Sequence, residues 1–148
     1  FEKKEIQESI QVIDERIAFI IKDILQEAGR RGTANKISEL SRNDFSGKTG
    51  TTNEAESTWF TGFNDSLVTT VWVGFDKSQS LGNREYGSSV ALPIWMDFVG
   101  NNLEDIPLNN SSPPEGIVVV KIDKTSGKRS SDNSNNSMFE YFLEENSP

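Results

Sequence analysis

The hydrophobic period changes once along this chain, and that change limits the folds open to it. Between Val12 and Ala28 apolar residues recur at three- and four-residue steps, with Ile13, Ile17, Ile20, Ile21, Ile24 and Ala28 in one stripe. This predicts an amphipathic helix with the stripe buried as core. Asp14 is placed to cap its start, and Gly29 and Gly32 offer left-handed positions where it can stop. From Phe45 the pattern is that of strands. Phe45 to Thr52 is rich in Thr and Gly, while Ser57 to Phe63 and Leu67 to Phe75 are aromatic and β-branched runs separated by Asn64-Asp65-Ser66. The three runs predict an antiparallel meander. Leu67, Val71, Val73 and Phe75 share one face and Val68 and Trp72 the other, so the last strand is expected to be covered on both sides. A helix followed by a meander makes the fold class α+β.

The rest of the chain carries weaker signals. Lys77 to Ser89 reads as a polar loop, and Val90 to Val99 as a short helix, apolar nearly all round, with Pro93 in its first turn and Gly100 at its end. That breadth predicts burial against the sheet. Asn101 to Gly116 reads as a linker, Ile117 to Ile122 as a strand, and "DKTSGKRSS" as a turn with its return strand, an extra hairpin in an irregular tail. Residues 130–137, "SSDNSNNS", are low-complexity and expected to be mobile. The closing "MFEYFLEENSP" has the aromatics to dock, with no signal of where. The expected division is 1–105 and a linker and tail over 106–148. Trp59, Trp72 and Trp95 are expected as core anchors in preference to a sugar-stacking platform.

Composition removes several kinds of chemistry. There is no cysteine and no histidine, so thiolate zinc sites, a cysteine nucleophile and a histidine base are excluded within this chain. Acid–base work falls to Lys, Asp, Glu or Tyr. The net charge of −8 argues against a nucleic-acid partner, and the acidic residues lack ligand spacing, so neither a metal nor another cofactor is expected. No apolar run approaches the ~20 residues of a membrane span. Phe1-Glu2-Lys3-Lys4 does not resemble a signal peptide, and a chain that opens on Phe reads as a piece of something longer.

Residues 46–53, "SGKTGTTN", hold the one motif with chemical content. A phosphate loop requires a first glycine where Arg42 stands and a helix after the lysine, and the following segment is strand-like. K-T-G on a strand is the third signature of serine penicillin-recognising enzymes. On an extended chain Thr49 and Thr51 share a side, suited to binding a carboxylate, while Lys48 points to the other. Gly50 lets a flat acyl group approach the backbone, and an open strand edge offers amides to a peptide or an oxyanion. The period-two rule leaves open how Lys48 reaches the side that the threonines face.

"RRGTA", "SGKTGTTN", "TWFTGF", "VTTVWVGFD", "SLG" and "ALPIW" occur in that order, with "PPEGIVVVKIDKTSGK" and "FEYFLEENSP" after them. These segments resemble the C-terminal part of the transpeptidase domain of class A penicillin-binding proteins, particularly the 1A-like branch. The resemblance covers nearly the whole chain. It implies a partial penicillin-binding transpeptidase / serine β-lactamase-like fold. It also implies a bifunctional parent, held at the periplasmic side of the bacterial inner membrane by an N-terminal segment not present here. Such a parent is a peptidoglycan glycosyltransferase that also cross-links stem peptides as a serine-type D,D-transpeptidase and binds β-lactams. By the same resemblance Lys48 and Thr51 are catalytic, through proton movement and the oxyanion N–H, and Thr49, Gly50, Thr51 and Thr52 bind substrate. The departures are as informative. No serine is followed by lysine three residues on, so there is no S-x-x-K nucleophile here. Ser41-Arg42-Asn43 and Ser131-Asp132-Asn133 match S-x-N in letters but not in place. The chain alone is therefore expected to be inactive, with an exposed helix stripe and strand edges that invite self-association. The alternatives are a non-catalytic interaction module using those edges and the C-terminal tail, and a β-lactamase-like hydrolase.

Overall fold

The computed structural model describes residues 10–109, 111–131 and 136–148. Its elements are α1 (Glu15–Arg31), β1 (Ser46–Thr51), β2 (Ser57–Phe63), β3 (Val68–Gly74), α2 (Ala91–Gly100), β4 (Ile117–Asp123) and β5 (Ser137–Leu143). Short 3-10 turns lie at Asn35–Leu40, Asn53–Ala55, Leu103–Asp105 and Glu144–Asn146. The α+β expectation is met. The chain forms two compact units, one of Lys22–Ser111 and the other of the residues through Ile21 with Ser112–Pro148.

Asp14 caps α1: its carboxylate accepts the Arg16 N–H at 2.8 Å and its carbonyl that of Ala18 at 3.0 Å. The helix runs through Gly29 and stops at Gly32, and neither glycine has a positive φ. Gly29 is instead a packing position, where a Cβ would stand 3.3 Å from Ile37 Cδ1. The isoleucine stripe is not core: Ile13, Ile17, Ile21 and Ile24 are 38–57% exposed. The reason is the side the helix packs with. Phe19, about 200° round the helix from Ile17 at ~100° per residue, meets Tyr141 edge-on at 5.0 Å. Periodicity found the stripe but not its cover.

In the larger unit the sheet order is β1-β2-β3, antiparallel throughout. The turn into β3 is an Asx turn, with Asn64 Oδ1 accepting the N–H groups of Ser66 and Leu67, each at 2.9 Å. α2 lies over β2 and β3 and brings Trp95 to the centre of a core with Ala34, Ile37, Phe45, Phe60, Leu92, Val99 and Ile106. Phe45 and Phe60 meet Trp95 edge-on at 5.4 and 5.1 Å. Two expectations fail on this sheet. α2 buries only one side, leaving Ile94 and Phe98 half exposed. β3 is covered on one face only, because Trp59 and Trp72, paired in register and 6.2 Å apart, share the open face with Val68. Of the three tryptophans, only Trp95 is a core anchor.

Gly47 and Gly62 face each other across β1 and β2, and aromatic rings occupy the room they leave. A Cβ on Gly62 would stand 2.4 Å from Trp95 Cζ2, and one on Gly74 2.4 Å from Trp72 Cζ2. The two clashes are not equivalent. Trp95 is enclosed, whereas Trp72 is 47% exposed and free to turn away. Gly62→Ala is therefore expected to lose about 1–3 kcal/mol, and Gly74→Ala under ~1 kcal/mol. Urea denaturation midpoints of the two variants check this.

In the smaller unit β4 pairs antiparallel with β5, Ile117 opposite Leu143 and Asp123 opposite Ser137. The extra hairpin exists, but its return strand is "SMFEYFL" and not the residues directly after the turn. Asp123 Oδ1 accepts the N–H groups of Thr125 and Ser126, and Gly127 takes φ 68°, which turns the chain back. The return then holds a short contact rather than a named strand: the bridge Ile122–Arg129, the Asp123 N–H to Lys128 carbonyl bond at 2.9 Å and the Ser130 N–H to Lys121 carbonyl bond at 2.8 Å. Of the stretch expected to be mobile, residues 132–135 lie outside the described residues. Asn136 binds Asp123 Oδ2, and Ser137 opens β5.

Candidate functional site

β1 is the terminal strand of its sheet, so one of its edges is unpaired. Thr52 N–H continues the ladder to the Ser57 carbonyl at 3.0 Å. By the two-residue repeat, the even-numbered backbone groups of β1 face β2, and the N–H and C=O groups of Thr49 and Thr51 point out at the free edge. Lys48 Nζ reaches the Thr49 carbonyl at 2.9 Å and stands 3.5 Å from Thr49 Oγ1. The edge position thus answers the question left by strand period: the side chain bends round the open edge. Lys48 and Thr51 are exposed, and Thr49 and Gly50 half-buried. The strand is extended, and a 3-10 turn follows it where a phosphate loop would need a helix N-terminus.

Each threonine hydroxyl is held from behind. Thr33, in the turn after α1, shares a 2.9 Å hydrogen bond with Thr49 Oγ1. Gly87 donates its N–H to Thr51 Oγ1 at 3.0 Å. A hydroxyl that accepts from a backbone N–H keeps its own proton free for a guest. Gly87 can come this close because it has no side chain, since a Cβ there would lie 2.5 Å from the Trp59 carbonyl and 2.7 Å from that of Gly50. Thr52 is exposed and bonds back to the start of β2, its hydroxyl accepting the Ser57 N–H at 2.8 Å. The missing Cβ of Gly50 would meet Trp59 Cβ at 3.2 Å.

A cavity of about 500 Å³ continues from Thr51 and Thr52, with the loop through Arg84 and Tyr86 as its other wall. The structure thus brings Lys48, Thr49 and Thr51 together along one edge and adds Thr33 and Gly87, which sequence reasoning did not select. "RRGTA" before the motif was a hint toward Thr33. Gly87 had no local signal, because the carbonyls it approaches belong to residues far away in sequence. Among the described residues no group of three or more His, Cys, Asp or Glu side chains could hold a metal ion. Ser41 and Asn43 do not form an opposite wall. Ser41 ends a 3-10 turn at φ 56°, and Arg42 between them is tied to Asp44. Most of the Ser131-Asp132-Asn133 match lies outside the described residues.

The chain is 44% identical over 138 residues to penicillin-binding protein 1A of Pseudomonas aeruginosa, a match spanning 93% of this chain and 17% of that protein. It is 44% identical over 108 residues to penicillin-binding protein 1A of Neisseria flavescens, spanning 73% of this chain and 14% of the relative. Its structure matches the crystal structure of penicillin-binding protein 1A from Haemophilus influenzae with a TM-score of 0.86 and 35% identity, over 97% of this chain and 22% of that one. No protein-family model matches the chain. The chain thus spans less than a quarter of the length of these relatives.

Proposed function

We propose, from a sequence and fold that match the C-terminal part of 1A-like class A penicillin-binding proteins, that this chain supplies one wall of a peptidoglycan D,D-transpeptidase site. In this reading the parent is a bifunctional synthase, working at the periplasmic side of the inner membrane, and the nucleophilic serine comes from an S-x-x-K helix outside these residues. That serine's oxygen attacks the stem-peptide carbonyl, the terminal residue leaves with a proton, and an acceptor amine then takes the acyl group. A β-lactam acylates the same oxygen.

The observation that carries the reading is the outward edge of β1. The Lys48 ammonium attracts the guest's terminal carboxylate and takes part in moving the proton. Thr49 and Thr51 donate their hydroxyl protons to that carboxylate, Thr51 being oriented by the Gly87 N–H. The outward Thr51 N–H is placed to bind the oxyanion as charge develops, a donor whose loss typically costs about 2.7–4 kcal/mol of barrier. The open faces fit the same reading. The Ile13–Ile24 stripe and the Trp59–Trp72–Val68 face are surfaces that further polypeptide of the parent would cover.

Fluorescent penicillin tests this. The chain alone is expected to stay unlabelled, having no activated nucleophile. Joined to an upstream segment bearing S-x-x-K it is expected to label, and Lys48→Ala to slow labelling by about 10²–10⁴-fold. Labelling of the chain alone would refute its inactivity, and an unchanged rate in Lys48→Ala would refute the lysine's role. Val119 and Phe139, 54% and 70% exposed on one face of the β4–β5 hairpin, favour a second reading, in which the tail is a binding module.

A further inference from the structure

We propose that the open face of the β4–β5 hairpin docks on an anionic phospholipid bilayer, with Phe139 and Val119 entering the interface and Lys121 and Lys128 beside the lipid phosphates. The inference goes beyond the transpeptidase reading and does not rest on it.

The first support is how the strand divides its residues. In β4, Val120 and Ile122 are buried on one face, so Val119, Lys121 and Asp123 belong to the other. Residues directly opposite in the ladder share a face, which adds Tyr141, Phe139 and Ser137. The Tyr141 ring meets Phe19 edge-on at 5.0 Å, while Val119 and Phe139 stay mostly exposed. Beyond the turn, the chain returns along the other edge of β4. Ser130 donates its N–H to the Lys121 carbonyl, Lys128 accepts that of Asp123, and Arg129 stands opposite the buried Ile122. The two-residue repeat therefore puts Lys128 on the open face with Lys121 and Phe139.

The second is charge. The chain carries 23 Asp and Glu against 15 Lys and Arg, yet residues 121–129 hold Lys121, Lys124, Lys128 and Arg129 against Asp123 alone. Asp123 is engaged in the turn: Oδ1 accepts the Thr125 and Ser126 N–H groups and the Ser126 hydroxyl, and Oδ2 accepts the Asn136 side chain. Lys128 is exposed and, among the described residues, enters no salt bridge. A positive patch on an otherwise acidic chain selects an anionic partner.

The third is the mixture of side chains. Lysine is depleted from the cores of protein–protein interfaces, where its ammonium must shed water, whereas at a headgroup layer the ammonium stays hydrated while its stem and a neighbouring ring face the acyl chains. One exposed aromatic with lysines beside it fits that layer, and the basic groups add attraction to anionic lipid.

The test mixes the isotope-labelled 148-residue chain with vesicles of phosphatidylglycerol and phosphatidylcholine, or of phosphatidylcholine alone, each doped with a gadolinium-bearing lipid. On the anionic vesicles the amides of residues 119–121, 128–130 and 138–140 are expected to broaden more than those of α1 or β1, and on the neutral ones to stay sharp. In co-sedimentation at low salt, Lys128→Gln is expected to weaken binding about fivefold and Phe139→Ser about tenfold. Lys36→Gln, the same charge change at another exposed position, is expected to cost less than about twofold. Equal binding to the neutral vesicles, unchanged binding of Phe139→Ser, or broadening centred on Ile13–Ile24 or on Trp59 and Trp72 overturns the proposal. Polyglutamate that binds as tightly as the vesicles, regardless of Phe139, overturns it in favour of an acidic protein segment. Penicillin labelling is a separate readout, so neither reading's failure is mistaken for the other's.

Discussion

Arg42→Ala is expected to destabilise the chain by about 3–5 kcal/mol, a large share of the roughly 5–15 kcal/mol that native domains typically have. Arg42 and Asp44 face each other through two hydrogen bonds, Nε to Oδ1 at 2.9 Å and Nη2 to Oδ2 at 2.6 Å, with side chains 12% and 1% exposed. The same guanidinium caps the carbonyls of Ile106 at 2.7 Å and Pro107 at 2.9 Å and lies over the Phe45 ring. Removing it strands a buried carboxylate and frees the 103–109 segment, which supplies Ile106 to the core. The pH dependence has a definite sign. Burial pushes the Asp44 carboxyl up, but hydrogen bonds from Arg42, the Asn64 side chain and the Asn109 N–H together hold it below its ordinary value. A lowered folded pKa gives stability that is present above the unfolded value, about 3.9, and is lost as pH falls through the folded one. Urea midpoints measured from pH 7 down to 3 should drop on the acid side in the parent sequence. The drop should be much smaller in Arg42→Ala, and a parent-like midpoint for that variant at pH 7 would count against the network.

That pair also shows where sequence reading stops. Arg42 and Asp44 are two residues apart before an apolar Phe45, so on an extended chain their side chains share a side. The letters do not say that the side is buried under Pro107 and Asn109, more than sixty positions on. The meander was legible because its signals are local: β-branched and aromatic runs, and an Asn that can form its own turn. Lys48, Thr49 and Thr51 were legible as a motif, and the hydroxyl geometry followed from strand period. Whether a face is covered is a long-range property. Trp59, Trp72 and Trp95 look alike in composition, yet only Trp95 lies where α2 closes on the glycine pair. β5 was missed for a similar reason, since its partner strand precedes it by a Ser- and Asn-rich stretch that carries no pairing signal.

Gly87→Ala is expected to separate site from fold. The contacts its Cβ would make, 2.5 Å to the Trp59 carbonyl and 2.7 Å to the Gly50 carbonyl, are with sheet backbone, which cannot swing aside as an exposed ring can. The loop must lift instead, and the Gly87 N–H then leaves Thr51 Oγ1. The Thr51 hydroxyl loses the donor that orients it, and the wall carrying Arg84 and Tyr86 moves with the loop. A misplacement of about 1 Å in such a constellation costs on the order of 10²-fold in rate, so penicillin acylation of a longer protein containing this segment should fall by about that factor. In the 148-residue chain, amide exchange at residue 87 should accelerate sharply, while the Trp95 core, anchored by Phe45 and Phe60, keeps most of its protection. Gly100→Ala, whose nearest neighbour would be Leu40 at an ordinary 3.5 Å, is the comparison expected to change neither measurement. A Gly87→Ala protein with a protected amide at 87 and an undiminished acylation rate would mean that the loop does not position Thr51, and the hydroxyl would then have to be oriented from the guest's side.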